Sequence, residues 1–249
     1  MLIDNPRGGY RFLTGISPFS SGVVASEGHE VVHATLSAHR PWREGFELID
    51  AHLADVGRGR PALCAIELRC PVPYSMPGFI EFNAGYVELI RSWDLYVGDH
   101  NPLARTNVAP AEDPPSEPVL HAFSYTVEAP VGASTTFVVS GAGEIPEATL
   151  DDNEIIRRGE TGPEAMREKA GHVVATMGSR LAAMGADWDQ VTTTDVYTVF
   201  MHEGLLEDAV IGQMGPATRH GLRWYRSRPP VHDLDFEMDV RGIRSEIAV

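Results

Sequence analysis

Lysine is nearly absent: of the 20 basic residues in this chain of 249, Lys169 alone is lysine. It stands mid-helix beside Arg167 and Glu168 and is expected to be solvated, which disfavours Schiff-base catalysis. Basic residues are scarce as a whole against 35 acidic ones, and the formal charge is −15. Nucleic acid is thereby excluded as a main partner, because phosphate binding needs a basic surface. Small anions are not excluded, since one local cation can hold them. No apolar run is long enough to span a bilayer, and no basic-then-apolar leader follows Met1. Only two cysteines occur, Cys64 and Cys70. Six positions apart on one straight strand they would lie roughly 20 Å from each other, which suits two buried, reduced thiols better than a bridge. These absences point to a cytoplasmic protein with no membrane partner.

Several chemical signatures are missing too. His29 and His33 are four apart, but on a strand, and there is no H-x-x-x-H helix or C-x-x-C pair, so no metal is expected. Gly141 and Gly143 follow a strand without the third glycine and helix start that dinucleotide binding requires. No glycine-rich phosphate loop or serine nucleophile elbow occurs. No cofactor is expected.

What is present is an internal echo. Leu181–Gly185, five residues, then Val191–Val196 closes a long helix and opens a strand. Leu53–Gly57, five residues, then Leu63–Leu68 does the same at a constant offset of 128 residues. A fixed offset through helix end, turn and strand start indicates duplication of a structural unit. Two copies suit two small domains better than a solenoid.

Periodicity supplies the elements. Tyr10–Gly15 and Val31–Leu36 read as strands, then a helix runs from Trp42 to Val56. Pro61–Cys70 is a strand, Gly78–Ser92 a helix, and Arg105–Val108 and Val119–Val127 the closing strands. The second half repeats this order: strand Phe137–Ser140, helix Glu164–Met184, strand Val191–Phe200, short helix Gly204–Gln213, and strands near Leu222 and over Leu234–Val240. The proline-rich segment 109–118 falls between the last two strands of the first repeat, with 226–233 as its counterpart. The boundary is therefore placed near 129–133, giving domains 1–130 and 131–249. Each is expected to be α+β, a mixed sheet with helices on one face.

In its second half the chain resembles the reactive intermediate deaminase family (RidA, also called YjgF). The residues that carry the resemblance are Val138–Pro146, Leu181–Gly185, Val191–Val199, Pro216–Arg219 and Phe236–Val240. In the first half they are Asn83–Tyr86 and Leu103–Val108. The resemblance implies two tandem chorismate-mutase-like domains, the first degenerate. It also implies clefts between neighbouring domains and a homo-oligomer, preferably a trimer of chains.

Candidate site residues follow from the residues and from that resemblance. Arg105 opens a strand after a turn, where a guanidinium can hold a carboxylate by two parallel hydrogen bonds. The bland alternative is a surface ion pair. The family's corresponding arginine grips the substrate carboxylate. Arg219 is its counterpart in the second half, with one residue inserted. Asn83 matches a cleft position, or else caps its own helix. Glu237 matches an acidic residue thought to position water. Asp235, Glu237 and Asp239 alternate with Phe236, Met238 and Val240, so the three carboxylates share a face, where burial would raise at least one pKa. The alternative is a solvated sheet edge. His121 stands at Glu237's place in the first half. Ser140 and Thr14 match a hydroxyl beside the cleft, or simply end strands. Asn107 stands where relatives often carry cysteine.

The resemblance implies an enamine/imine deaminase. It would hydrolyse a small carboxylate-bearing 2-amino-2-ene, 2-aminoacrylate-like or 2-aminomuconate-like, to the 2-oxo acid and ammonia. Arg105 and Glu237 would act from opposite sides of a composite cleft. Alternatives are a non-catalytic carboxylate-binding protein and a chorismatase-like enzyme.

Overall fold

Short apolar alternations early in the chain build four strands: β1 (Leu2–Asn5), β2 (Tyr10–Leu13), β3 (Gly22–Ala25) and the long β4 (His29–Pro41). Then follow α1 (Trp42–Asp55), β5 (Leu63–Arg69), α2 (Met76–Ser92), β6 (Ala104–Pro110) and β7 (Val119–Glu128). The second half contains β8 (Phe137–Gly143), α3 (Pro163–Met184), β9 (Thr193–Tyr197), α4 (Leu205–Ala209), β10 (Arg223–Tyr225), β11 (Ser227–Arg228), β12 (Glu237–Gly242) and β13 (Ser245–Ala248). The computed structural model describes residues 1–130, 132–146 and 151–249. Val131, on which the expected domain boundary falls, lies outside the described residues.

Local chemistry sets the helix ends. α2 begins two residues before the expected Gly78, because Ser75 accepts from the Gly78 amide at 3.2 Å and Pro77 is tolerated in a first turn. The two echoing helices exit alike, through Gly57 at φ 71° and Gly185 at φ 77°, a left-handed conformation that glycine adopts without a Cβ penalty.

The strands form two mixed sheets, ordered β11-β6-β5-β7-β4-β13 and β1-β2-β3-β8-β12-β9-β10. Their central parts match. β5 runs parallel to β6 and antiparallel to β7, which pairs with β4; β9 runs parallel to β10 and antiparallel to β12, which pairs with β8. The termini cross over. Through β3 the N-terminal strands join β8, and β13 returns to pair with β4. Each crossing covers an edge that would otherwise expose unpaired amides.

Helices α1 and α2 cover the outer face of the first sheet over Phe46, Ile49, Leu53, Tyr86 and Ile90. Helix α3 covers the second over Met166, Val173, Met177, Leu181 and Met184. The inner faces meet through Tyr10, Phe12, Val23, Val31, Ala65, Ala104 and Val138. Cys64 and Cys70 are buried and free. Among the described residues no helix is long and apolar enough to cross a membrane.

Two expectations need correction. Lys169 is not solvated: it is fully buried, with Nζ 2.5 Å from Asp235 and 3.2 Å from Glu144. Its place three residues after Met166 and four before Val173 puts it on the apolar face of α3, whatever the charge of Arg167 and Glu168. The last long strand begins at Glu237 rather than Leu234, because Glu144 accepts the amides of Asp235 at 2.6 Å and Phe236 at 3.1 Å. Those amides are lost to a ladder, and Asp235 leaves the face of Glu237 and Asp239 to meet Lys169.

Deeper between the sheets the contact is ionic. Arg241 of β12 reaches Glu67 of β5 at 2.6 Å, Asp195 of β9 at 2.7 Å and Asp239 at 3.3 Å. Arg69 and His33 approach Glu67 at 3.4 and 3.7 Å. Removing one partner from a buried network strands the others, at about 3–5 kcal/mol. Arg241→Met is expected to lower unfolding free energy by about that amount at pH 8. Urea titration should show a smaller loss at pH 5, where the orphaned carboxylates take up protons.

Candidate active site

Strand β6 carries Arg105 and Asn107 on one face and Thr106 on the other. Thr106 turns to the second sheet, donating to Asp239 at 2.9 Å and accepting from the Gly141 amide at 3.2 Å. Arg105 is 3% exposed, and its guanidinium carbon lies 4.5 Å from the Phe19 ring centre, 4.8 Å from Tyr86 and 5.6 Å from Phe79. Three rings hold the cation in place of a carboxylate. Among the described residues its Nη1 has no hydrogen-bond partner, and neither side-chain atom of buried Asn107 has one. Buried polar groups are ordinarily paired, so three orphaned atoms at one place mark a site suited to a polar ligand.

Beside them is a cavity of about 280 Å³. Its lining includes Arg105 and Asn107 of β6, Gly141 to Gly143 of β8, Glu237 of β12 and Thr176 and Arg180 of α3. Thr14, Phe19, Phe79, Val231 and Leu234 complete much of the apolar and rim surface. Glu237 comes so close to β8 that a methyl on Gly141 would stand 2.3 Å from its Oε1. The glycine leaves room for that carboxyl, and its backbone is ordinary strand.

Burial raises the Glu237 carboxyl well above its usual range, and the neighbouring Asp239 and Glu144 push it further; Arg105 and Arg69 pull the other way without prevailing. The shift favours the protonated form of the Glu237 carboxyl. Burial lowers Arg105 to about 10, which still leaves it charged. Asp239 is pushed up to about 7 by burial and by Asp195, against Arg241. The cavity thus offers positive charge, a carboxyl whose proton affinity is raised, and an amide able to donate and accept.

The structure brings Thr14, Arg105, Asn107 and Glu237 to this one cavity. Ser140 lies buried directly behind it, accepting from the Arg105 amide at 3.1 Å and donating to the Ser20 carbonyl at 2.6 Å. Asn83 is buried on α2 with its Oδ1 unpartnered, outside the lining. Arg219 is not brought there: it is exposed, donating to the Asp189 carbonyl at 3.1 Å. His121 is elsewhere too, 2.9 Å from His39, with burial and then Arg69 lowering it to about 3. The sequence reading missed Arg180. Its signal was available, because Met177, Arg180, Leu181 and Met184 follow helical spacing, so a cation stands within the apolar stripe of α3, as Lys169 does.

Fold and cavity together describe an α+β protein of two facing sheets with a cation-lined chamber between their strands. The family described as "2-aminomuconate deaminase CnbZ" matches residues 2–247, and the chain belongs to it. The chain is 37% identical over 237 residues to 2-amino-5-chloromuconate deaminase of Comamonas testosteroni, covering 94% of each. Among solved structures, a chorismatase crystal structure aligns over 96% of this chain and 78% of its own at 12% identity, with a TM-score of 0.51, a likeness of fold. The YjgF product of E. coli aligns over 47% of this chain and 91% of its own at 15% identity, with a TM-score of 0.27.

Asp239 gives the site a pH signature. Its folded value of about 7 exceeds the unfolded value of about 3.9. Its contribution to stability is complete below the unfolded value and is lost as pH rises through the folded one. Asp239→Asn should therefore flatten the fall in unfolding free energy between pH 5 and 8, by at most about 1.4 kcal/mol per pH unit. Chemical denaturation across that range reads the slope directly.

Proposed function

We propose that the chain is a hydrolytic deaminase of 2-aminomuconate-like substrates, acting on the enamine or its imine tautomer. The observation that carries this reading is one cavity joining buried Arg105, which has no carboxylate partner among the described residues, to Glu237, whose carboxyl burial pushes up. Family membership and the 2-amino-5-chloromuconate deaminase relative supply the substrate class.

In this mechanism Arg105 binds the carboxylate next to the C–N carbon by two parallel hydrogen bonds. Asn107 offers its amide to the same end of the substrate. The Glu237 carboxyl gives its proton to the enamine carbon, leaving an iminium. The resulting carboxylate takes a proton from the water that attacks the C=N carbon. The carbinolamine then collapses: Glu237 passes a proton to the nitrogen, the C–N bond breaks with its electron pair on nitrogen, ammonia leaves, and Glu237 takes up the hydroxyl proton as the C=O forms. Enamine plus water becomes the 2-oxo acid plus ammonia, with Glu237 again protonated. Such hydrolysis is intrinsically easy, so positioning and one acid–base group suffice.

The proposal includes tandem duplication. It is supported by the 128-residue echo and by the matching order of the central strands. The expected division into 1–130 and 131–249 is kept for the two copies, with terminal strands exchanged between sheets. A homo-oligomer, preferably a trimer, belongs to the same reading, and analytical ultracentrifugation would read it.

Ammonia release from 2-aminomuconate and 2-aminoacrylate is the deciding assay. Arg105→Gln and Glu237→Gln are each expected to cut turnover by about 10²–10⁴-fold. Wild-type activity should fall as pH rises through the elevated pKa of Glu237. No acceleration by wild type on either substrate would replace this reading with a carboxylate-binding protein, and turnover of chorismate instead would favour the chorismatase-like one.

Gly141→Ala provides a second check. The clash falls on the far end of a flexible side chain, so the melting temperature should change by only a few degrees. Activity should drop about tenfold or more as Glu237 is turned aside. Equal damage to stability and turnover would mean that Gly141 serves the fold alone.

A further inference from the structure

Resting on the deaminase reading, we propose that Arg180 is the specificity-determining residue for a dicarboxylate, receiving the carboxylate remote from the one Arg105 holds. The two arginines come from different layers, β6 and α3, yet both are fixed to Ser140. The Arg105 amide donates to its Oγ at 3.1 Å, and Arg180 Nη1 donates to its carbonyl at 2.8 Å. Both side chains line the same cavity, and Arg180 is 8% exposed. A remote carboxylate entering the cavity meets the Arg180 side chain there.

The same lining includes the apolar side chains of Ala142, Ile145, Val231 and Leu234, which suit a hydrocarbon skeleton. Burial pushes the Glu237 carboxyl up, which disfavours a competing negative charge in the cavity. The charge of the whole chain, −15, makes the inference sharper. A dianion is repelled by the molecule at large, so two local cations are what would admit it. A monoanion such as 2-aminoacrylate needs only one. Arg219, the second-half counterpart of Arg105, is on the surface and supplies no charge here.

The test separates recognition from turnover by using two unreactive probes with the same six-carbon diene. trans,trans-Muconate carries a carboxylate at both ends and sorbate at one. Calorimetric titration of wild type, Arg180→Gln and Arg180→Lys measures both ligands at constant ionic strength. Wild type should prefer muconate. Arg180→Gln should weaken muconate about 10–100-fold, the usual worth of a charge-assisted contact, and leave sorbate within about twofold. Arg180→Lys should recover part of the loss by restoring the charge. In turnover assays the same variants should raise KM for 2-aminomuconate with little change in kcat. Equal weakening of both probes, no weakening of muconate, or no muconate binding by wild type would each overturn the proposal. Because the titrations need no catalysis, they stand or fall separately from the deaminase reading. Arg180-dependent muconate binding without ammonia release would refute that reading alone.

Discussion

The placement of the whole interface follows from one guanidinium. Arg241 leaves the second sheet, crosses to Glu67 in the first and is flanked by Asp195 and Asp239 of its own sheet. Such a network need not add net stability, because desolvating the charges costs as much as their attraction returns. Its effect is on register. A slide of β12 past β5 would separate Arg241 from Glu67 and leave several buried charges unpaired. With Arg241 fixed, Glu237, four residues earlier on the same strand, is fixed against Gly141 and beside β6. The network also sets proton affinities. Burial alone would raise Glu67, but Arg241, His33 and Arg69 overcome it and hold that carboxyl low. Asp239 shares the same cation less favourably and stays high, and from there adds to the upward push on the Glu237 carboxyl. An ion network that fixes register therefore also prepares an acid.

Arg105 follows a different logic. Had it been neutralised by a protein carboxylate, a ligand would have to compete with that partner. Phe19, Phe79 and Tyr86 stabilise the cation through their ring faces and occupy none of its in-plane donors. The guanidinium stays charged because its surroundings lower its pKa only to about 10.

Sequence patterns revealed what depends on local periodicity. Helices α1 and α3, the matching glycine exits at Gly57 and Gly185, and the apolar face of Phe236, Met238 and Val240 could all be read there. Arg105 and Glu237 could be singled out through motif resemblance. What could not be read depends on partners distant in sequence. The N-terminal strands give no sign that they will join β8, because either sheet offers an edge. Glu144 gives no sign that it will intercept the amides of Asp235 and Phe236. Lys169 and Arg180 were legible in principle. Both interrupt the apolar stripe of α3 at helical spacing, and a cation in such a place must find buried acceptors or face a chamber. Arg219 was misleading because motif order survived there while the chain around it formed an exposed 3-10 turn.

Strand register explains why the proposed duplication would yield one site and not two. Arg105 pairs with Ile66 of β5. The 128-residue offset carries Ile66 to Thr194 of β9, and β10 pairs Arg223 with the next residue, Asp195. The counterpart of Arg105 is therefore Leu222, three residues beyond Arg219. Glu237 pairs with Tyr197, whose counterpart is Arg69, and Arg69 pairs with Val119. His121 falls at the irregularity in β7, where pairing steps from Ala122 directly to Leu120. The mirror-image cavity would thus be built from Leu222 and Val119, with neither cation nor acid. Freed from substrate, that side of the interface can be filled by internal partners: Arg223 pairs with Glu246 at 3.2 Å, and His121 with His39. Each copy would contribute half of one working cleft, the first its arginine and the second its carboxyl, so that neither half could be removed without dismantling the site.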